Sequence, residues 1–148
     1  MKSSADVRKK ILIADDVPAS RELIGTILDE AGYNVIEASN GTEALNKARE
    51  LTPDLILLDL SMPVMDGWAT LRKLKSDERT QSITVLALSA HAIIGDAERA
   101  VNAGFDGYMT KPISVPTLLQ DLRSALKHRN ISNDLDPQPS VTKDESVS

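Results

Sequence analysis

Apolar positions along the chain fall into two alternating rhythms. Short apolar runs occupy Lys10 to Ala14 (KILIA), Tyr33 to Ala38 (YNVIEA), Asp54 to Asp59 (DLILLD), Ile83 to Ser89 (ITVLALS) and Phe105 to Met109 (FDGYM), and each predicts a strand. Between them the spacing changes to that of a helix face. Leu23, Ile24, Ile27, Leu28 and Ala31 predict a first helix, with Pro18 in its opening turn and Gly32 just past its end. Asn40 followed by Glu43 has the form of a capping box, opening a second helix that stops before Pro53. Trp68, Leu71 and Leu74 predict a third, opened by Asp66, and Ala97, Ala100 and Val101 a fourth, closed by Gly104. A fifth takes Ser114 as its N-cap and Pro116 in its first turn. Leu118, Leu119, Leu122, Ala125 and Leu126 form its buried stripe.

Five strands, each followed by a helix and with no hairpin signal, predict a parallel α/β sheet covered on both faces. Right-handed crossovers make all the strands point one way, so their carboxyl ends share one edge. Open α/β sheets bind ligands at that edge, where the strand order reverses. The run DLILLDLSMPVMDGW, Asp54 to Trp68, therefore stands out, because its buried apolar strand ends on a carboxylate, Asp59. Burying such a group is costly unless a cation or hydrogen-bond donor meets it.

The other strand ends add to the same rim. After the first strand come Asp15 and Asp16, at the end of the fourth Ser89, and after the fifth Thr110 and Lys111, then Pro112. Each residue has a plainer role open to it: Asp15, Asp16 and Ser89 as helix caps, Asp59 as a turn starter, Lys111 as a solvated lysine. Taken together, three carboxylates at one rim repel unless a cation neutralises them. Hard oxygen donors without His or Cys suit Mg²⁺, which binds at roughly 2.0–2.1 Å through carboxylates, waters and phosphate oxygens, with Mn²⁺ as the alternative. Lys111 and the Ser89 hydroxyl would welcome the phosphate. Asp59, at the end of the most central strand, is the natural nucleophile toward phosphorus, giving an aspartyl phosphate.

Composition limits the alternatives. The 148 residues suffice for one domain with one core, and the 41% apolar and 26% charged fractions are ordinary for a globular chain. Cysteine is absent, which removes thiolate metal sites and disulfides. No apolar stretch approaches the roughly 20 residues of a membrane span, and MKSSADVRKK has no signal core behind its charges, so the cytoplasm is the expected location. A net charge of −5 argues against a nucleic-acid partner. Part of that charge lies in Asn130 to Ser148, where Asp134, Asp136, Asp144 and Glu145 outweigh Lys143. This segment has no apolar periodicity and is expected to be a disordered acidic tail. The expected organisation is an N-terminal extension over 1–9, a folded domain over 10–129 and the tail over 130–148. No GxGxxG or GxxxxGK[ST] loop is present to bind a nucleotide.

ILIADDVP, DLILLDLSMPVMDGW, VLALSAHA and GFDGYMTKPIS, in this order, closely resemble the receiver domain of two-component response regulators over about Ile11 to Lys127. The stretch from Ser89 to Ser114 is similar to the single-domain type and to receivers of hybrid kinases. The resemblance implies a flavodoxin-like, doubly wound sheet in the order 2-1-3-4-5 with five helices. It implies Asp59 as phosphoacceptor, charged by a sensor histidine kinase or a histidine phosphotransfer protein. Asp16, Asp59 and the backbone carbonyl of Ser61 would ligate Mg²⁺ directly, and Asp15 through a metal-bound water. Lys111 would pair with the phosphoryl oxygens across a cis Lys111–Pro112 bond, and Ser89 would bind the phosphoryl group and form a switch with Tyr108. Ser61 and His91 would tune dephosphorylation, although a half-buried aromatic and a surface histidine are the plain readings of Tyr108 and His91. Trp68 is expected to pack on the third helix. Val17, Pro18, Ala19 and Ile113 flank the rim with apolar surface that would suit a kinase helix.

The output expected is phosphorylation-dependent binding of a downstream protein by a monomer or weak dimer, with no enzymatic activity beyond self-phosphorylation and self-dephosphorylation. Two rivals are a Mg²⁺-dependent phosphatase or phosphotransferase of the haloacid dehalogenase type and a receiver-like adaptor that is never phosphorylated. The first would need an acid/base Asp two residues after the nucleophile, where this chain has Ser61. The complete acidic set disfavours the second.

Overall fold

A computed structural model describes residues 8–90 and 94–134, with side chains through residue 127. Strands β1 (Lys10–Ala14), β2 (Asn34–Ala38), β3 (Leu55–Asp59), β4 (Thr84–Ser89) and β5 (Gly107–Thr110) alternate with helices α1 (Pro18–Glu30), α2 (Gly41–Leu51), α3 (Gly67–Lys75), α4 (Asp96–Ala103) and α5 (Val115–Asp134). All pairings are parallel, in the order β2-β1-β3-β4-β5, as a flavodoxin-like doubly wound sheet requires. Every residue of β3 and β4 is buried. The continuous apolar runs LILLD and TVLALS suit strands covered on both faces.

Alternation along the strands divides the core into two layers. Leu12, Ile56, Leu58, Val85 and Ala87 pack beneath α2, α3 and α4. Ile11, Ile13, Leu55, Leu57, Leu86 and Leu88 pack beneath α1 and α5. The α5 stripe sits as expected, with Leu118 and Leu122 fully buried and Leu126 nearly so. The helix runs on through Asp134, past Arg129, where the sequence reading ends the domain. Most of the expected tail and of the N-terminal extension lies outside the described residues.

The helix signals read from sequence hold with local adjustments. Asn40 caps α2 by accepting from Glu43 N at 2.8 Å, but the Glu43 carboxylate reaches one residue further back than a capping box does, to Ser39 N at 2.8 Å. Asp66 caps α3 through Ala69 N at 2.9 Å, and Gly104 ends α4 in the left-handed region at φ 111°. In α1 the buried face is rotated from the expected stripe. Leu23 is 58% exposed and Gly25 is buried, because Gly25 lies against Val35 and Glu37 of β2.

In α4, Ala97 and Val101 face solvent, and the helix buries Asp96 and Ala100 instead. Phe105 does not open β5. Its amide donates to Ala100 O at 3.0 Å, its ring is buried, and Asp106 accepts from Val85 N at 2.9 Å before the strand begins at Gly107.

Candidate functional site

The carboxyl edge of the sheet collects the predicted residues from four separate strands. A carboxylate oxygen from each of Asp15, Asp16 and Asp59 can lie within 4.8 Å of the others. Asp15 is fully buried and Asp59 is 3% exposed. The Lys111 ammonium stands between them, donating to Asp15 Oδ2 at 2.8 Å and to Asp59 Oδ2 at 3.0 Å. The peptide bond that follows Lys111 is cis, at Pro112.

The three carboxylates are not equivalent. Asp15 Oδ1 accepts from Val17 N at 3.0 Å, and its Oδ2 accepts from Ser20 Oγ at 2.7 Å as well as from Lys111. Burial pushes the Asp15 carboxyl up, but the hydrogen bonds from Lys111, Ser20 and Val17 outweigh it and hold the group below the ordinary carboxylate value. Asp59 has fewer donors, Ser61 N at 3.0 Å and Lys111. There burial wins over those two bonds, with the Asp15 charge adding to it, and the Asp59 carboxyl is raised. Lys111 is itself pushed down by burial but held above its ordinary value by the two carboxylates. Asp16 is half-buried and makes no hydrogen bond or ion pair among the described residues.

Such a group of oxygen donors, with one carboxylate unpartnered and another held in unfavourable burial, fits a hard divalent cation. Asp15, Asp16 and Asp59 would hold it. The position two residues beyond Asp59 is Ser61, which is exposed and supplies its amide to Asp59, not a second carboxylate.

The local chain geometry is built to keep Asp59 in place. Gly67 opens α3 directly against the end of β3: its amide donates to Leu60 O at 3.1 Å, and a Cβ there would collide with the Asp59 carbonyl and lie 2.8 Å from Leu60 Cα. Only glycine permits that approach. Leu60 N in turn donates to Leu88 O at 2.9 Å, which ties the loop to β4.

Ser89 and Tyr108 lie on the other layer. Ser89 ends β4, is 5% exposed, and continues the alternation of Val85 and Ala87, whereas Asp59 continues that of Leu55 and Leu57. Tyr108 pairs with Ala87, packs half-buried against the α2–α4 layer, and has a buried hydroxyl without a hydrogen-bond partner among the described residues. His91 lies outside the described residues. Val17, Pro18 and Ala19 are exposed beside the site and Ile113 is half-buried.

Three neighbours of the site carry no signal in the apolar pattern. Ser20 bonds Asp15, and Arg21 donates to Asp15 O at 2.7 Å and to Glu37 Oε1 at 2.9 Å. Val64, in the loop after Asp59, is 82% exposed with φ at 72°, an uncommon setting for a β-branched residue. Ser20 and Arg21 sit in the first turn of α1, which Pro18 announces, but only the packing of that turn against β1 shows what they touch.

The family model of the response regulator receiver domain matches residues 11–123. The chain belongs to that family. Among curated relatives, the polar-differentiation response regulator DivK of Brucella anthropi is 38% identical over 118 residues, spanning 80% of this chain and 96% of that protein. Among solved structures, chemotaxis protein CheY4 of Vibrio cholerae matches with a TM-score of 0.76 and 29% identity, over 80% of this chain and 99% of that one. The receiver domain of the sensor histidine kinase PA1611 of Pseudomonas aeruginosa PAO1, solved with a magnesium ion coordinated in its active site cleft, matches with a TM-score of 0.76 and 30% identity, over 82% of this chain and 99% of that one. This receiver is thus a component of two-component signalling, a family whose members interact with histidine kinases or phosphotransfer proteins and with downstream targets. No helix among the described residues is long and apolar enough to cross a membrane.

Proposed function

We propose that this receiver accepts a phosphoryl group on Asp59 from a sensor histidine kinase or histidine phosphotransfer protein, and relays the signal in the cytoplasm by binding a downstream protein in a phosphorylation-dependent way. The observation that carries the reading is the meeting of Asp15, Asp16 and Asp59 around one point, with Lys111 bridging two of them. In the proposed reaction an Asp59 carboxylate oxygen bonds to phosphorus while the bond from phosphorus to the donor imidazole nitrogen breaks, and that nitrogen keeps the electron pair. A bound Mg²⁺ or Mn²⁺ supplies electrostatic stabilisation for the charge on the transferring group.

The chain's own residues do the rest. Asp16, Asp59 and the Ser61 carbonyl would ligate the ion, with Asp15 acting through a water. Lys111 turns from the carboxylates toward the phosphoryl oxygens, and Ser89 donates its hydroxyl to another. The Tyr108 hydroxyl, buried and without a hydrogen-bond partner among the described residues, suits a side chain that changes position with Ser89. Ser61 and His91 would set how readily water reaches the aspartyl phosphate. The protein would have no enzymatic activity toward other molecules, and would be a monomer or weak dimer.

The test is incubation with acetyl phosphate and Mg²⁺, read by intact mass. One alkali-labile phosphoryl group is expected on the wild type and none on Asp59→Asn. An adduct of equal yield on Asp59→Asn would overturn the assignment.

A further inference from the structure

Among the described residues, α4 is held to the domain by little apolar surface. It buries Ala100 and the carboxylate Asp96, while Ile94 just before it is fully exposed and Val101 is 62% exposed. Besides β5 and the core around Ala100, what meets it from the rest of the molecule is an indole. Trp68, the only tryptophan of the chain, is the second residue of α3 and packs half-buried against the core layer beneath that helix. The Arg99 guanidinium lies over its ring, Cζ 4.5 Å from the centroid. Arg99 Nη1 also reaches Asp96 Oδ1 at 3.3 Å, so one guanidinium joins the buried carboxylate of α4 to the face of the indole. The indole also makes a T-shaped contact with Phe105, centroids 5.7 Å apart and planes at 82°, on the segment that leads from α4 into β5.

Along the chain, Trp68 directly follows the residue that abuts the phosphoacceptor strand. Its neighbour Gly67 is pressed against the Asp59 carbonyl and bonded to Leu60 O, so the start of α3 cannot shift without the end of β3. Two consecutive residues thus connect the end of β3 to α4: Gly67 against the Asp59 carbonyl and Trp68 under the Arg99 guanidinium.

We propose that Trp68 and Arg99 form the joint that seats α4 and couples its position to the loading of the Asp59 site. Both are positioning residues, since neither touches the reacting atoms. The coupling half rests on the function proposed above; the seating half does not. A guanidinium over an indole face is a cation–π contact, whose charge an ammonium keeps in part and a neutral amide lacks. If the joint links two sites, it acts in both directions: weakening it alters how the loaded site is read at α4.

Two measurements on the full chain test this. Amide hydrogen exchange over 96–103 in the unmodified protein is expected to quicken about two- to fivefold in Arg99→Gln, and to return part of the way in Arg99→Lys. Equal exchange in wild type and Arg99→Gln would overturn the joint. Trp68 emission is then followed as beryllofluoride and Mg²⁺ are added, with acetyl phosphate adduct formation checked by mass in parallel. The wild type is expected to change emission on loading, and Arg99→Gln to lose at least about half of that change while keeping the adduct. An adduct that forms with no emission change in the wild type, or with the same change in Arg99→Gln, would overturn the coupling. Absence of the adduct in the wild type overturns the phosphoacceptor reading and the coupling with it, and leaves the exchange measurement to decide the seating.

Discussion

Two clusters of acids and bases sit at opposite edges of the sheet and behave in opposite ways. At the amino edge, in the connection from α3 to β4, Asp77 accepts from Arg49 Nε at 2.8 Å, Arg79 Nη2 at 3.0 Å and Arg79 N at 2.9 Å. Two cations serve one carboxylate near solvent, and the Arg79 bonds hold Asp77 far below the ordinary carboxylate value. At the carboxyl edge, one cation serves two buried carboxylates, and a third stands beside them without a partner among the described residues. There Asp59 is raised instead. The same residue types satisfy a turn in one place and leave a charge deficit in the other. The ratio of cations to carboxylates and the loss of water decide which.

The sharpest way to break this contrast is to remove the one buried cation. Lys111→Met is expected to destabilise the protein in metal-free buffer by about 3 kcal/mol, because it leaves two facing buried carboxylates uncompensated. Added Mg²⁺ should restore much of the loss. Chemical denaturation with and without the metal measures both, and an unchanged midpoint would show that Lys111 is not the compensating charge.

Asp59→Asn should act the other way, raising metal-free stability by about 1 kcal/mol, since the substitution removes a buried charge that the fold disfavours. The sign follows from linkage. A carboxyl raised above its ordinary value of 3.8 destabilises the fold above that value and is relieved as the group takes up its proton. The gain over wild type should therefore close as the pH falls toward 3.8. A wild type more stable than Asp59→Asn at neutral pH would break the argument.

Satisfied surface carboxylates should show smaller effects of opposite sign. Glu43, held by the Ser39 amide and Lys47, is lowered from 4.5 to about 2. Its stabilisation is present above pH 4.5 and lost as the pH falls through about 2. Glu43→Gln should cost about 0.5 kcal/mol at neutral pH after solvent screening, vanishing in acid. Asp77→Asn should also destabilise at neutral pH, with the difference fading below the ordinary carboxylate value of 3.8. Thermal melts across pH follow both.

The elements were legible because burial leaves its mark on periodicity. The run Leu55 to Leu58 is apolar at every position because β3 is covered on both sides, and Pro18, Asn40, Asp66 and Gly104 mark helix ends by local chemistry. Asp59 was legible for the same reason: a carboxylate at the end of such a strand needs an explanation. α4 was harder to read. Its period-3.6 pattern placed Ala97 and Val101 inward, but a helix that buries a carboxylate and leans on a guanidinium does not obey an apolar stripe. Leu23 of α1 has the spacing of a buried position yet faces solvent, while Gly25 is buried, because close approach to β2 favours the residue without a side chain.

From the order of its residues alone, this chain determined five parallel strands, the edge where their polar ends collect and the identity of the groups delivered there. Local patterns suffice for that, since each strand and cap is specified within a few positions. Only the tertiary structure decided that Lys111, 96 positions from Asp15 and 52 from Asp59, lies between their oxygens, and that Arg99 rests on Trp68. Contacts between elements depend on how the sheet twists and the helices settle, and no local pattern encodes the distance between side chains so far apart along the chain.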